Sequence, residues 1–278
     1  MKIVRYPLAT SSETRRAIYG GDVFLLAPTE ASLSFVSAAR EELVTTLGTT
    51  DVRAVASADD AQAFAALGRV RRTVYLEPRF HELSRAMMAS VGLDPLETAF
   101  DPARLRVIEH RGHDNPRAAP VYYPHRDTWY AHPPAVITCW TALDDLDEHE
   151  TFVFHPERWD TPVANDSEIF DYDAWVKDGW GLKIGWQDRE AGRTARYPGV
   201  VGEVDAGLAL GFSCRAGEVL LFSGAHFHRT LPQATGRTRY SLDLRAVHLG
   251  DHALGLGAPN VDGRSRGSAL VDYVRPSR

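Results

Sequence analysis

After Phe100 the sequence consists of short segments rich in β-branched and aromatic residues, and this pattern constrains the fold most. The segments read LRVIEH, AVITCWTAL, TFVFH, GEVLLF and RYSLDLRAV, and turns rich in Gly, Pro and Asp separate them. A parallel α/β sheet would need an amphipathic helix between successive strands, and the segments lack one. The pattern therefore predicts an antiparallel sandwich or barrel.

The first hundred residues are mixed, and helices dominate. DVFLL, from Asp22, predicts a short strand. TEASLSFVSAAREELVTTLG, from Thr29, has apolar residues at helical spacing, an N-cap Thr and a closing Gly. Two further helices are predicted in SADDAQAFAALGRV and in PRFHELSRAMMASVGLD, the second with Pro78 in its first turn.

A long segment with little periodicity, residues 156–214, interrupts the β-rich part. Segments of this length are usually functional lids or disordered inserts, and the tryptophans argue against disorder. It contains four of the six tryptophans, Trp159, Trp175, Trp180 and Trp186. No linker divides the chain, so we predict one domain over residues 1–278. It comprises helical support over 1–100, a β core over 100–250 with the insert, and a C-terminal tail over 251–278.

Composition and charge exclude several classes of protein. The chain has 278 residues, a formal net charge of -6 and two cysteines. This balance offers no basic surface for nucleic acid or an anionic membrane, and two cysteines do not make a disulfide framework. No apolar run approaches membrane-spanning length, and the N-terminus lacks the apolar core of a signal peptide. We expect a cytoplasmic protein with a small-molecule substrate, and the oligomeric state is not predicted.

The stretch YPHRDTWYAHPP, from Tyr123, places three ionisable side chains among apolar and aromatic neighbours. On a strand, His125 and Asp127 would share one face and Arg126 would point away. An imidazole and a carboxylate are two of the three ligands in the 2-His-1-carboxylate triad that binds Fe(II). An H-x-D pattern is also common by chance, so a polar turn between two strands is the alternative.

A second polar group lies in GEVLLFSGAHFHRTLPQATGRTRYSLDLRAV, which predicts a strand, a polar hairpin and a strand. His226 and His228 stand near the end of the first strand. One face of the second strand carries Arg239, Ser241, Asp243 and Arg245, and the other carries Tyr240, Leu242, Leu244 and Ala246. An antiparallel pair can present a histidine, an arginine and a serine to one cavity, and an arginine fork suits a carboxylate. The alternative is the solvent face of an edge strand.

Taken together, the H-x-D, a distal His about a hundred positions later and an R-x-S beyond it resemble the Fe(II)/2-oxoglutarate-dependent oxygenases. The closer resemblance is to the phytanoyl-CoA dioxygenase-like (PhyH) family. HRDTWY, CWTALDD, FHPERW and LFSGAHFHRTLPQATGRTRYSLDLR stand in the expected order, over roughly residues 100–250. The resemblance implies a mainly β chain, with a double-stranded β-helix core of jelly-roll, cupin-like type and N-terminal helices packed on one sheet.

The resemblance also implies which residues bind iron. His125 and Asp127 would be two catalytic iron ligands, and His228 is preferred as the third because it stands eleven residues before Arg239. His226 is the runner-up, since it would face the same side if the strand continued. The halogenating relatives replace the carboxylate ligand by a small residue, and Asp127 is present here.

The same resemblance implies a cosubstrate site. Arg239 and Ser241 would hold the distal carboxylate of 2-oxoglutarate. Many relatives carry Asn or Gln on the strand that corresponds to AVITCWTAL, where it reaches the cosubstrate. This chain departs from that pattern, and Thr138 and Trp140 are the nearest candidates for a further contact.

The function implied by the resemblance is a dioxygenase that uses Fe(II), 2-oxoglutarate and O2. It would oxidise an unactivated C–H bond of a small molecule by hydroxylation, desaturation or cyclisation, with succinate and CO2 as co-products. The composition suggests a bacterial source, and natural-product biosynthesis is the expected setting. The candidate substrate contacts are Tyr123, Trp129, Tyr130 and His155. The alternative is a non-oxidative cupin-like metal-binding protein or metalloenzyme, which would keep the triad but would not need the R-x-S.

Overall fold

The computed structural model describes residues 1–6, 12–55, 61–114, 119–179, 197–204 and 207–276. Two tryptophans of the predicted insert, Trp180 and Trp186, lie outside these ranges. In the described part of the insert, helix α5 (Tyr172–Gly179) follows two short 3-10 turns.

The described residues form nine strands, which include all six strands predicted from the sequence. Their bounds are β1 (Ile3–Arg5), β2 (Val23–Leu26), β3 (Thr98–Phe100), β4 (Arg104–Ile108), β5 (Val136–Ala142), β6 (Phe152–Phe154), β7 (Val219–Ser223), β8 (His228–Thr230) and β9 (Arg239–His248). Seven of them form the main sheet in the order β1-β2-β7-β5-β9-β3, with β4 also paired to β9. Every pair in this sheet is antiparallel except β1–β2.

A second, smaller sheet is formed by β6 and β8, which pair antiparallel. Isolated bridges extend this layer, and one of them joins His125 to His228. Between the two sheets lies an apolar cluster that includes Trp140, Phe152 and Phe222. Its edge-to-face ring contacts fill the interior, as the two inner faces of a sandwich do. The predicted jelly-roll core is confirmed.

The described residues form five further helices: α1 (Ser12–Tyr19), α2 (Glu30–Leu47), α3 (Ala61–Leu76), α4 (Pro78–Ser90) and α6 (Leu249–Ala253). The predicted caps of α2 are present. Thr29 accepts a hydrogen bond from the backbone N–H of Ser32 at 3.0 Å, and Gly48 ends the helix with φ 68°. None of the described helices is both long enough and apolar enough to span a membrane.

The helices α2, α3 and α4 cover one face of the main sheet. They contribute Phe35, Leu67 and Phe80, among others, to a cluster that also contains Cys139 of β5 and Leu242 of β9. The prediction that the N-terminal helices pack on one sheet is confirmed.

Strand alternation therefore divides β9 between two environments. Tyr240, Leu242, Leu244 and Ala246 belong to the cluster beneath the helices. The intervening residues Arg239, Ser241, Asp243 and Arg245 face the interior between the sheets, and all four are buried. Because β9 has partners on both sides, the solvent-exposed edge-strand alternative is excluded.

Candidate metal centre

Two backbone features bring His125, Asp127 and His228 together. His125 and His228 exchange two hydrogen bonds, since the N–H of each donates to the carbonyl of the other at 3.0 Å. Asp127 then opens a 3-10 turn that ends at Tyr130. Gly224 lets this turn approach the end of β7, because a Cβ there would lie only 3.1 Å from the Cβ of Asp127.

The ligand atoms of His125, Asp127 and His228 all lie within 4.8 Å of one another. Across the described residues this is the single group of three such side chains with metal-binding geometry. The Oδ1 atom of Asp127 is 3.8 Å from Nε2 of His125. Two imidazoles and one carboxylate are the donor set that binds Fe(II) and leaves positions open for other ligands.

Hydrogen bonds select the tautomer of both histidines. Nδ1 of His125 is 2.9 Å from the carbonyl of Tyr123, and Nδ1 of His228 is 2.9 Å from the carbonyl of His226. A carbonyl can only accept, so each Nδ1 carries the proton. Each Nε2 is then left with a lone pair, which is the form that binds a metal.

The charge states of the three side chains also suit a metal. Burial lowers the pKa of His228 to about 3 and lowers the pKa of His125, so both rings are neutral near pH 7. For Asp127, burial opposes the charge, but Arg245 and the two imidazoles outweigh it and hold the pKa well below its usual value. The centre therefore presents two neutral imidazoles and one ionised carboxylate.

Asp127 receives two further hydrogen bonds that fix its orientation. The hydroxyl of Thr138 donates to Oδ2 at 2.7 Å, and Nη2 of Arg245 donates to Oδ1 at 3.0 Å. The hydroxyl proton of Thr138, predicted to reach the cosubstrate, is thus already used on the carboxylate. Arg245 was not predicted as a site residue, although it shares the face of β9 that carries Arg239.

The structure does not place His226 at the centre. Its Nδ1 and Nε2 atoms lie 3.0 Å and 3.1 Å from the carbonyls of Ser223 and Gly21, and its ring packs against Trp159. Strand β7 ends at Ser223 and β8 begins at His228, so His226 lies in the turn between them.

Arg239 is a buried cation for which the described part of the chain offers no anionic partner. The Nε and Nη1 atoms of Arg239 and the hydroxyl of Ser241 have no hydrogen-bond partner among the described residues. The guanidinium lies over the ring of Trp140, 5.8 Å from its centre, and burial lowers the pKa of Arg239 to about 10. Leaving such groups unpaired is costly, and a carboxylate such as the distal end of 2-oxoglutarate fits these donors chemically.

The four candidate substrate residues lie in different places. The ring of Tyr130 is 5.4 Å from that of His125, and Tyr123 is 55% exposed just before His125. Trp129 is fully buried, and its indole N–H donates to Asp262 at 2.7 Å. His155 is buried against Phe227. The structure therefore brings Tyr123 and Tyr130 beside the centre, whereas Trp129 and His155 contact other parts of the fold.

Arg126 points away from the centre, as predicted. Its side chain is buried, and its Nε donates to Asp262 at 3.1 Å. Asp262 comes from the C-terminal tail and accepts three hydrogen bonds, from Arg126, Trp129 and the N–H of Val163. Sequence reasoning missed Asp262, because no local pattern marks it.

Comparison with known families gives a match over most of the chain. The family model of phytanoyl-CoA dioxygenase (PhyH) matches residues 37–241, which is more than half of the chain and includes every residue of the metal centre. Among curated proteins, no match was found.

Solved structures show a distant likeness. EvdO2 from Micromonospora carbonacea var. aurantiaca, complexed with 2-oxoglutarate, is 14% identical with a TM-score of 0.47, over 87% of this chain and 93% of that one. AviO1 from Streptomyces viridochromogenes Tue57 is 15% identical with a TM-score of 0.41, over 86% and 96%. The 2-oxoglutarate-dependent epimerase SnoN from nogalamycin biosynthesis is 16% identical with a TM-score of 0.41, over 96% and 92%. None of these scores reaches 0.5, so they say nothing about this chain's substrate.

Proposed function

The chain belongs to the phytanoyl-CoA dioxygenase (PhyH) family and is an Fe(II)- and 2-oxoglutarate-dependent oxygenase, and on this premise we propose how its residues serve that activity. His125, Asp127 and His228 hold Fe(II). Arg239 and Ser241 hold the distal carboxylate of 2-oxoglutarate. The reaction oxidises an unactivated C–H bond of a small molecule by hydroxylation, desaturation or cyclisation.

The observation that carries this proposal is the unpaired guanidinium of Arg239. It is buried in the same interior as the metal centre, and two of its nitrogens lack a partner among the described residues. A non-oxidative metalloenzyme or a metal-storage protein would need the three ligands but not this cation. A dicarboxylic cosubstrate supplies the missing anion, and the hydroxyl of Ser241 adds one more donor to it.

Fe(II) held by His125, Asp127 and His228 would supply the activation of dioxygen, the oxidant that converts 2-oxoglutarate to succinate and CO2 and also oxidises the substrate. The protein contributes positioning and the exclusion of water. The hydrogen bonds on Nδ1 of His125 and His228 aim the two Nε2 atoms at one point, and Thr138 holds the Asp127 carboxylate beside them. The aromatic interior between the sheets keeps water from the cosubstrate.

An aromatic wall beside His125 supports a compact, partly apolar substrate. The wall starts at Tyr130, whose ring lies 6.0 Å from Phe170 and 5.8 Å from Tyr197. The ring of Trp175 extends it, 6.4 Å from Tyr197. Tyr197 is 43% exposed, so the wall reaches the surface and can admit a ligand. We place the substrate against Tyr130, with bacterial natural-product metabolism as the setting.

A spectroscopic titration tests the proposal. Anaerobic apoprotein is loaded with Fe(II), and 2-oxoglutarate is added while the visible absorption is recorded. A weak charge-transfer band is expected in the wild type and not in His228→Ala, which loses a ligand. Admission of air should then convert 2-oxoglutarate to succinate. Bound iron without the band, and without succinate, would favour the non-oxidative alternative.

A further inference from the structure

Two buried carboxylates share the guanidinium of Arg245. Its Nη2 donates to Asp127 at 3.0 Å, and its Nη1 donates to Asp243 at 2.8 Å. Asp243 also accepts two hydrogen bonds from Arg106, at 2.7 Å and 3.1 Å. The resulting charge chain, Arg106–Asp243–Arg245–Asp127, runs from a partly exposed arginine to the carboxylate of the metal centre.

The geometry of the Arg245 guanidinium makes its second partner, Asp243, matter for how it binds Asp127. The group is planar, and on a single carboxylate it tends to form a two-armed fork that engages both oxygens. In this structure Asp243 occupies one arm, so Arg245 gives Asp127 a single hydrogen bond. Thr138 already donates to the other oxygen of Asp127. A second arm from Arg245 would take acceptor capacity that a metal needs.

We propose that Asp243 is a positioning residue for the metal: by holding one arm of Arg245, it keeps Asp127 available as a ligand. The inference rests on the proposed function, because it requires a metal at His125, Asp127 and His228. Asp243 hydrogen-bonds to Arg106 and Arg245 and, among the described residues, to none of the three metal ligands, so Arg245 is its hydrogen-bonded connection to the centre.

The test measures metal affinity in apoprotein, with Co(II) as the probe and visible absorption and calorimetry as the readouts. In Asp243→Asn, a neutral amide holds Nη1 of Arg245 less strongly than the carboxylate does, so Arg245 can turn onto Asp127. Co(II) affinity is then expected to fall about tenfold or more, the size typical for losing a group that orients a metal ligand. In Asp243→Asn/Arg245→Met the guanidinium that would compete with the metal for Asp127 is absent. Co(II) affinity is then expected to return to that of Arg245→Met.

A matched pair of variants separates this effect from loss of fold. Arg106→Gln leaves Asp243 on Arg245, so Co(II) affinity should fall much less than in Asp243→Asn. Arg106→Gln/Asp243→Asn removes the outer cation together with its partner, which avoids stranding that charge. It should show the same loss of affinity as Asp243→Asn. Thermal unfolding of each apoprotein identifies variants that are folded.

A remote arginine fork provides the negative control. Asp251 accepts hydrogen bonds from Nε and Nη2 of Arg15, at 2.6 Å and 3.3 Å, and joins α6 to α1. Asp251→Asn therefore removes a comparable carboxylate without touching the charge chain, and Co(II) affinity should not change.

The outcomes that overturn the inference are distinct from those that overturn the proposed function. If the folded Asp243 variants bind Co(II) as the wild type does, or if Asp243→Asn lowers Co(II) affinity as much in the Arg245→Met background as in the wild type, Asp243 does not position the metal through Arg245. If the wild type fails to bind Co(II), or His228→Ala binds it equally well, the metal centre itself is wrong. The inference then falls with the proposed function.

Discussion

The hydroxyl of Thr138 donates to Oδ2 of Asp127 at 2.7 Å, from the strand next to the metal centre. Both groups are buried, so water does not replace this bond easily when it is lost. We expect Thr138→Val to weaken Co(II) binding about tenfold. Thr138→Ser keeps the hydroxyl and should bind Co(II) nearly as the wild type does. Equal affinities in the Val and Ser variants would show that the bond does not orient Asp127.

Arg239 leads to a prediction about cosubstrate binding. Arg239→Met removes the buried cation, so 2-oxoglutarate affinity, measured anaerobically by the charge-transfer band, should fall at least about tenfold, as for a lost charged hydrogen bond. Arg239→Lys keeps the charge without the two-armed guanidinium, so its 2-oxoglutarate affinity should lie between those of the wild type and Arg239→Met. Co(II) binding should be unaffected in both. Unchanged 2-oxoglutarate affinity in the Met variant would remove Arg239 from the cosubstrate site.

Arg239→Met, which should weaken 2-oxoglutarate binding, should also stabilise the cosubstrate-free protein. An unpaired buried cation costs free energy, and methionine of similar length does not incur that cost. The free energy of unfolding of the cosubstrate-free protein should therefore rise in Arg239→Met. Excess 2-oxoglutarate should stabilise the Fe(II)-loaded wild type but not the variant. Urea unfolding, with and without the cosubstrate, measures both effects.

Asp262 leads to a prediction about the fold rather than the chemistry. Asp262→Ala leaves the buried Arg126 without its carboxylate and the indole N–H of Trp129 without an acceptor. The free energy of unfolding should fall by about 3–5 kcal/mol, the cost of breaking a buried pair on one side. As a control, Asp114→Ala disrupts an exposed surface pair with Arg111 and should lower the free energy of unfolding far less. Similar losses in the two variants would contradict this assignment.

The burial of His226 leads to a prediction about pH. Burial lowers the pKa of His226 from 6.5 to about 4 in the folded protein. The unfolded chain takes up this proton near pH 6.5 and the folded protein does not. Stability is therefore highest above pH 6.5 and is lost as the pH falls toward 4, by up to about 3 kcal/mol from this residue. His226→Gln cannot titrate and should lose less stability over this range; an unchanged pH dependence in urea unfolding would count against the shift.

The periodicity of the sequence predicted correctly which residues of β9 share a face. A two-residue repeat on one strand was enough to place Arg239 and Ser241 on a shared face, and that face is buried in the interior. The same repeat placed Asp243 and Arg245 on that face, but it did not identify Arg245 as a partner of Asp127. The reason is that Arg245 reaches Asp127 from 118 residues away, and no local pattern encodes that pairing.

The positions of His226 and Trp129 could not be predicted from periodicity, because each lies where a regular strand is interrupted. His226 and His228 would share a face on a continuous strand, but the turn between Ser223 and His228 removes that relation. Trp129 stands two residues after Asp127, yet the 3-10 turn directs it toward Asp262 in the tail. Both outcomes depend on where a strand ends, which side-chain pattern alone determines poorly.

The paired backbone hydrogen bonds between His125 and His228 link metal binding to the rate at which this part of the fold opens locally. These bonds join the segment that precedes the 3-10 turn to the start of strand β8, and the imidazoles of the same two residues can bind one ion. Breaking the pair by local opening would separate two of the three ligands, so an ion bound there should slow that opening. Amide hydrogen exchange at positions 125 and 228 should become slower when Co(II) is bound, while exchange in the distant helix α2 should not change. Release of the ion and separation of these two backbone segments would then occur together.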